Sequence, residues 1–265
     1  MHPNTFIEQL WQGEEVDEVF VAMGFQSKYD ARFDKVFRPA IESIRVNGVP
    51  LRANRVDESK TGDSIITEII RGIAQSRVVL ADISALETSL PTPDIYRNGN
   101  VMYELGIAHA VKSPAKVVVI RDDREKLLFD VSSIPHNTID FSSAEAAKKA
   151  IADLIADRIE ESDRIIDIKL RSFLSTMTPD ELNLLERLAT CPPGKVMDLT
   201  IQFSSGVRLT PLPTNAGLVG LRSACIAQAH HILESPVPLY SLTERGRRLC
   251  GLLGVNVAVP SDKDA

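Results

Sequence analysis

The stretch YRNGNVMYELGIAHAVKSPAKVVVI, residues 96–120, contains the pattern that decides the fold of the first half of the chain. It predicts a loop, a helix over 98–112 and a short apolar strand over 115–120. Further strand patterns lie at 17–23, 49–57, 77–83 and 136–141. Short apolar strands separated by helices are typical of a parallel sheet covered on both faces, so we predict a doubly wound α/β fold.

Helices are predicted between and after these strands, over 29–47, 61–76, 98–112 and 143–161. Pro39 predicts a kink in the first helix, and Gly48 predicts its end. In such sheets, ligands bind beyond the carboxyl ends of the strands. That edge comprises residues 23–29, 55–62, 82–100 and 121–124.

The chain divides into two predicted domains, because the strand–helix alternation stops near Ser162. We predict an α/β domain over 1–162, a smaller and mostly helical domain over 163–258, and a tail over 259–265. The length of 265 residues suits two domains.

The second domain has clear helix signals. Thr178 and Glu181 form a predicted capping box, and Thr243 is predicted to cap the last helix. Between them, residues 212–233 predict a turn and a helix that includes His230 and His231. The order of elements is similar to that of winged-helix modules. A small helical domain that packs or dimerises is the alternative.

Composition excludes several classes of protein. The chain is 44% hydrophobic and 25% charged, and no apolar run approaches the length of a membrane span. The acidic N-terminus lacks the order of a signal peptide, so a cytoplasmic location is expected. The three cysteines form no CxxC pair, and the histidines lack metal-ligand spacing, so no metal or cofactor is predicted.

Nucleic acid is a weakly supported partner, because neither half of the chain is strongly basic. Residues 166–265 hold 10 Lys and Arg against 9 Asp and Glu, a balance of +1, and the whole chain has a net charge of −6. A nucleotide and a second copy or regulatory protein are the expected partners.

Glu104 is an acid among the apolar residues of the helix over 98–112. Asn98 or Asn100 is expected to cap this helix. One interpretation of Glu104 is a carboxylate on a solvated face that complements the helix dipole. The other is a functional acid, because the helix begins at the edge where ligands bind.

Four segments together resemble the nucleoside 2-deoxyribosyltransferase-like family, which belongs with the TIR-like N-glycosidases. They are VFVAMGF (19–25), RVDES (55–59), VVLADIS (78–84) and RNGNVMYELGIAHAVKSPAKVVVI (97–120), and the resemblance covers about 17–141. It implies a flavodoxin-like sheet. It also implies an N-glycosidase that cleaves the base–ribose bond of NAD or another nucleotide, such as a toxic effector of a bacterial anti-phage system.

The resemblance assigns roles to particular residues. Glu104 and Asp82 would be the catalytic acids: Glu104 would be the nucleophile or charge stabiliser at the anomeric carbon, and Asp82 would help hold the substrate. The family's deoxyribosyltransferases have an Asp six residues before the Glu; here Asn98 argues against base exchange between deoxynucleosides. The candidate substrate-binding residues are Met23, Gly24, Phe25, Arg55, Asp57, Arg97, Asn98 and Asn100, with Arg55 and Arg97 as phosphate contacts.

Two other functions are compatible with the sequence. The first is a binding module that senses a nucleotide without turnover. The second is a transcription regulator whose second domain binds DNA.

Overall fold

The computed structural model describes residues 15–56, 65–86, 95–127, 132–202, 204, 206–232 and 235–258. The chain forms two compact units, Met1–Asp163 and Arg164–Ala265. Asp57, a predicted substrate contact, and the first residues of the helix predicted over 61–76 lie outside the described residues. Within those residues, no helix is long and apolar enough to cross a membrane.

The first unit is built on a five-stranded parallel sheet. The strands of the unit, in chain order, are β1 (Val16–Ala22), β2 (Arg45–Val46), β3 (Val49–Pro50), β4 (Arg52–Asn54), β5 (Ser76–Asp82), β6 (Val117–Arg121) and β7 (Asn137–Thr138). The sheet has the order β4-β1-β5-β6-β7, while β2 and β3 form a separate hairpin. Counting only the sheet strands, the order is 2-1-3-4-5, as in flavodoxin-like folds. The predicted α/β fold with a central parallel sheet is confirmed.

The helices of this unit are α1 (Ser27–Arg32), a π-helical turn (Phe33–Phe37), α2 (Arg38–Glu42), α3 (Ile65–Gln75), α4 (Gly99–Val111), a 3₁₀ turn (Pro114–Lys116) and α5 (Ala144–Leu174). Side chains alternate between the faces of the sheet. Val19 and Val21 pack with residues of α1, α2 and α5, whereas Phe20 and Ala22 pack with residues of α3 and α4. Helices therefore cover both faces.

The first predicted helix differs from the structure in two ways. The first difference lies near Pro39, because proline lacks an N–H and clashes with the preceding turn of a helix. The structure has a π-helical turn over Phe33–Phe37 there, in place of a regular helix. The helix ends at Glu42, so the predicted helical stop at Gly48 is wrong. Asn47 and Gly48 have φ of 51° and 84° and form the two-residue turn of the β2–β3 hairpin, which requires such values.

The helix predicted over 143–161 extends to Leu174, because its apolar stripe continues through Ile166 and Leu170. The boundary between the two compact units falls inside this helix.

The second unit contains α6 (Pro179–Ala189), β8 (Ile201–Gln202), β9 (Arg208–Leu209), α7 (Leu212–Ser223), β10 (Ala227–His230), β11 (Leu239–Leu242) and α8 (Glu244–Leu253). The predicted capping box is confirmed: Glu181 N donates to Thr178 Oγ1 at 3.3 Å, and Thr178 N donates to Glu181 Oε2 at 2.6 Å. The predicted cap Thr243 is also confirmed.

The helix predicted over 212–233 ends at Ser223, so the prediction that His230 and His231 are helical is wrong. Cys225 has a φ of 56°, which a continuing helix does not allow. Residues 227–230 then form a strand that pairs antiparallel with β11, and Nε2 of His230 lies 2.8 Å from Oγ of Ser241.

Candidate functional site

The carboxyl ends of β1 and β5 lie side by side where the order of the strands reverses, which is where ligands bind in such sheets. Gly24 follows β1 at this edge. A Cβ on Gly24 would stand 2.8 Å from the ring of buried Tyr29 and 3.3 Å from Nδ2 of Asn98. Strand β1, helix α1 and the start of α4 therefore meet closely here, and only glycine fits between them.

Asn98 provides the N-cap of α4. Its Oδ1 accepts hydrogen bonds from N of Asn100 at 3.0 Å and from N of Val101 at 3.4 Å. Of the two asparagines that could have capped the helix, Asn98 does so, while Asn100 lies exposed in the first turn. The cap fixes where α4 begins relative to the edge of the sheet.

Glu104 lies in the second turn of α4 and is only 7% exposed. It shares the buried stripe of the helix with Val101 and Ala108. No hydrogen bond or ion pair joins its carboxyl group to another described residue. Burial raises the pKa of Glu104 to about 7. The interpretation of Glu104 as a residue on a solvated face is therefore wrong.

A buried carboxyl group without a cationic partner is costly to keep ionised. The same environment makes its negative charge more effective, because a low dielectric strengthens its attraction to any positive charge placed beside it. Glu104 can therefore stabilise a cation, or exchange a proton near neutral pH.

Asp82, the second predicted catalytic acid, lies in a buried network. Its Oδ2 accepts a hydrogen bond from Nη1 of Arg32 at 2.6 Å, and its Oδ1 accepts bonds from N and Oγ of Ser84. The other arm of the Arg32 guanidinium donates to Asp122 Oδ2 at 2.6 Å. The guanidinium also lies 3.7 Å from the centre of the Phe141 ring. Asp82 is thus held in place with its charge neutralised.

Arg97, a predicted phosphate contact, also points into the protein. Its guanidinium binds both carboxylate oxygens of Asp123, at 2.9 and 3.2 Å, and donates to the carbonyl oxygen of Ile83. The structure therefore places Arg97 between β5 and β6 rather than facing solvent, with its side chain 4% exposed.

Arg55, the other predicted phosphate contact, is buried beside two further predicted substrate contacts, Met23 and Phe25, and beside one acid. Its Nη2 donates to Oδ1 of Asp30 at 2.6 Å, and its Nη1 lies 4.0 Å from Sδ of Met23. The guanidinium stacks 4.9 Å from the centre of the Phe25 ring. Phe25 is half exposed, so it offers a flat apolar surface at the edge of the sheet.

Sequence reasoning missed the partners of these acids and bases. Ser84, Asp122 and Asp123 lie within two residues of strand ends, so the rule that ligands bind beyond the carboxyl ends of the strands could have selected them. Arg32 carried no such signal, because it lies in a helix 50 residues before Asp82.

The described part of the chain brings no three His, Cys, Asp or Glu residues together in a way that could hold a metal ion. The sequence matches no protein-family model and no curated protein.

Proposed function

We propose that the chain is an N-glycosidase that cleaves the base–ribose bond of NAD or another nucleotide, with Glu104 as its catalytic carboxylate. The observation that carries the proposal is the burial of Glu104 without a cationic partner among the described residues, on a helix that starts at the ligand-binding edge of the sheet. Such perturbed groups concentrate at functional sites, because folding alone gains nothing from them.

The chemistry needs what Glu104 supplies. When the bond between the anomeric carbon and the base breaks, its electron pair leaves with the base nitrogen and positive charge develops on the ribosyl group. A carboxylate beside that carbon stabilises the charge or captures the carbon covalently. Water then adds to the anomeric carbon, displaces the carboxylate where a covalent bond has formed, and passes its proton to solvent.

A substrate whose base is already cationic fits the other acids at this edge, because such a base needs no proton from them when it leaves. Asp82 and Asp122 are paired with Arg32, and Asp123 is paired with Arg97. Burial acts to raise the pKa values of Asp122 and Asp123. Hydrogen bonds from Arg32 and Arg97 nevertheless hold both pKa values below the ordinary value. These two acids are therefore poor proton donors at neutral pH. Nicotinamide leaves NAD as a neutral molecule and needs no proton.

The proton on Glu104 is consistent with such a substrate. With a pKa of about 7, Glu104 is protonated in much of the free protein at neutral pH. A bound pyridinium cation favours the carboxylate, so binding should release a proton. Nucleotides with a neutral base offer no such charge.

The direct test is incubation of the purified full chain with NAD, other nucleotides and deoxynucleosides, followed by chromatography of the released base. We expect nicotinamide and ADP-ribose from NAD. Binding of these compounds without release of base from any of them would instead favour a nucleotide sensor.

For the second unit we propose a winged-helix-like module that serves assembly or partner binding. Its elements support this: after α6, Met197 forms a bridge to Tyr240 of β11, and the β8–β9 hairpin, α7 and the β10–β11 hairpin follow. Helix α7 exposes 84% of Leu212 and 69% of Val219, and its one basic residue is Arg222. This surface suits a protein partner better than a phosphate backbone.

Titration of labelled duplex DNA with the full chain, followed by fluorescence anisotropy, tests that preference. We expect no binding tighter than the roughly micromolar level of non-specific contacts at physiological salt. Much tighter, sequence-dependent binding would favour the transcription regulator.

A further inference from the structure

The residues that follow β5 are paired with the residues that precede Asn98, the cap of α4. N of Leu86 donates to O of Tyr96 at 2.8 Å, and Ala85 and Arg97 form an antiparallel bridge. The contacts that hold these paired segments, 85–86 and 96–97, therefore also fix the start of the helix that bears Glu104.

One ion pair holds them to the sheet. Arg97 binds Asp123 through two parallel hydrogen bonds and also binds the carbonyl of Ile83, at the end of β5. Asp123 follows β6, and its carboxylate accepts further bonds from N of Ala85 at 2.9 Å and N of Glu125 at 3.0 Å. The pair thus ties together the end of β5, the end of β6 and the residue before α4.

The side chains of this pair are 4% and 14% exposed, so the interaction is sheltered from water. Bidentate arginine–carboxylate pairs are directional as well as strong, and lysine cannot replace the planar fork. A phosphate that took Arg97 would break this sheltered pair, and breaking a buried ion pair is strongly destabilising.

We infer that Arg97 and Asp123 are positioning residues, which hold the first turns of α4 on the edge of the sheet and so fix the place of Glu104. The connection is short. Asn98 is bonded directly to Arg97 and caps the helix, and Glu104 lies six residues further, about 9 Å along the helix axis. The inference rests on the proposed function of Glu104, and the ion pair itself touches no substrate.

The test compares Arg97→Lys, which keeps the charge and loses the fork, with Arg158→Lys. Arg158 forms a helix-surface pair with Glu161 at 2.8 Å and is the matched control in the same unit. The first measurement is the titration of the Glu104 carboxyl carbon by NMR, with Glu104→Gln used to assign the signal. We expect the midpoint to fall by at least about one pH unit in Arg97→Lys, because water reaches the carboxyl group when the helix start loosens.

The second measurement is turnover of NAD. We expect kcat to fall by about 10- to 100-fold in Arg97→Lys with little change in KM, since a displacement of about 1 Å has effects of that size. Arg158→Lys should match the wild type in both measurements. If Arg97→Lys does not fold, Asp123→Asn, which has the same shape without the charge, carries the same expectations.

An unchanged Glu104 midpoint in a folded Arg97→Lys or Asp123→Asn variant would overturn the inference, even if its melting temperature fell. A wild type that releases no base would refute the proposed function instead. The titration still decides the positioning role in that case, because it needs no substrate.

Discussion

Nη1 of Arg32 lies 2.6 Å from Oδ2 of Asp82, and both side chains are buried. This ion pair separates the two acids that the sequence had selected together. Asp82 has a permanent cationic partner, whereas Glu104 has none among the described residues. The difference makes Asp82 part of the framework of the sheet edge and leaves Glu104 as the acid able to respond to a ligand.

Glu104→Gln should abolish turnover and leave the fold intact. Glutamine keeps the volume of the side chain and removes the charge that, in the proposed reaction, stabilises the ribosyl cation. Loss of one preorganised group of this kind costs about 100- to 1000-fold in rate. Release of nicotinamide, measured beside a circular dichroism spectrum, checks this.

The control is Gly106→Ala, two residues away in the same helix, where an added Cβ meets no atom within 4 Å. It should keep normal turnover. Full activity in a folded Glu104→Gln variant would remove Glu104 from the mechanism.

The same substitution should make stability less dependent on pH. Glu104 has a pKa of about 7 in the folded protein and an ordinary value of 4.5, so the folded state binds more protons between these values. The contribution of Glu104 to stability therefore falls as the pH rises from 4.5 through 7, by on the order of 3 kcal/mol. Relative to the wild type, Glu104→Gln should gain about that much between pH 4.5 and 8.

Urea unfolding of both proteins at several pH values measures this gain. Glu145→Gln is the control, because its side chain is 84% exposed and its removal should leave the pH dependence of the wild type. A constant difference between Glu104→Gln and the wild type at all pH values would mean that Glu104 is hydrated in the folded protein.

Arg32→Met should destabilise the protein strongly. The substitution removes the guanidinium that forms ion pairs with both Asp82 and Asp122. Breaking a buried ion pair in this way costs about 3–5 kcal/mol. The free energy of unfolding in urea measures the loss. Arg158→Met, which breaks a surface pair, should cost less than about 1 kcal/mol; similar losses in the two variants would contradict the assignment.

Gly24→Ala should also destabilise the protein, by about 1–3 kcal/mol, because the new Cβ would overlap the buried ring of Tyr29 at 2.8 Å. Thermal unfolding followed by circular dichroism checks the loss. Gly106→Ala is again the comparison. Alanine stabilises an exposed helix position relative to glycine by up to about 1 kcal/mol, so the melting temperature of this variant should rise. An equal melting temperature in Gly24→Ala and the wild type would show that Tyr29 moves aside without cost.

The sequence by itself determined the parts of the fold that depend on neighbouring residues. The apolar runs at 77–83 and 115–120 became β5 and β6, and the caps at Thr178 and Thr243 were correct, because periodicity and capping act over a few positions. The same local rules failed where the backbone was free to turn: at Gly48, and at Cys225, which has a positive φ.

Only the tertiary structure decided the chemistry of the edge. Arg32 and Asp82 are 50 residues apart, and Arg97 and Asp123 are 26 apart, so no local pattern could pair them. Glu104 was recognisable as an unusual acid, but its burial depends on how α4 packs against the sheet. Ion pairing and desolvation arise from residues that folding brings together, which is why the sequence located the candidate acid while the structure determined its charge.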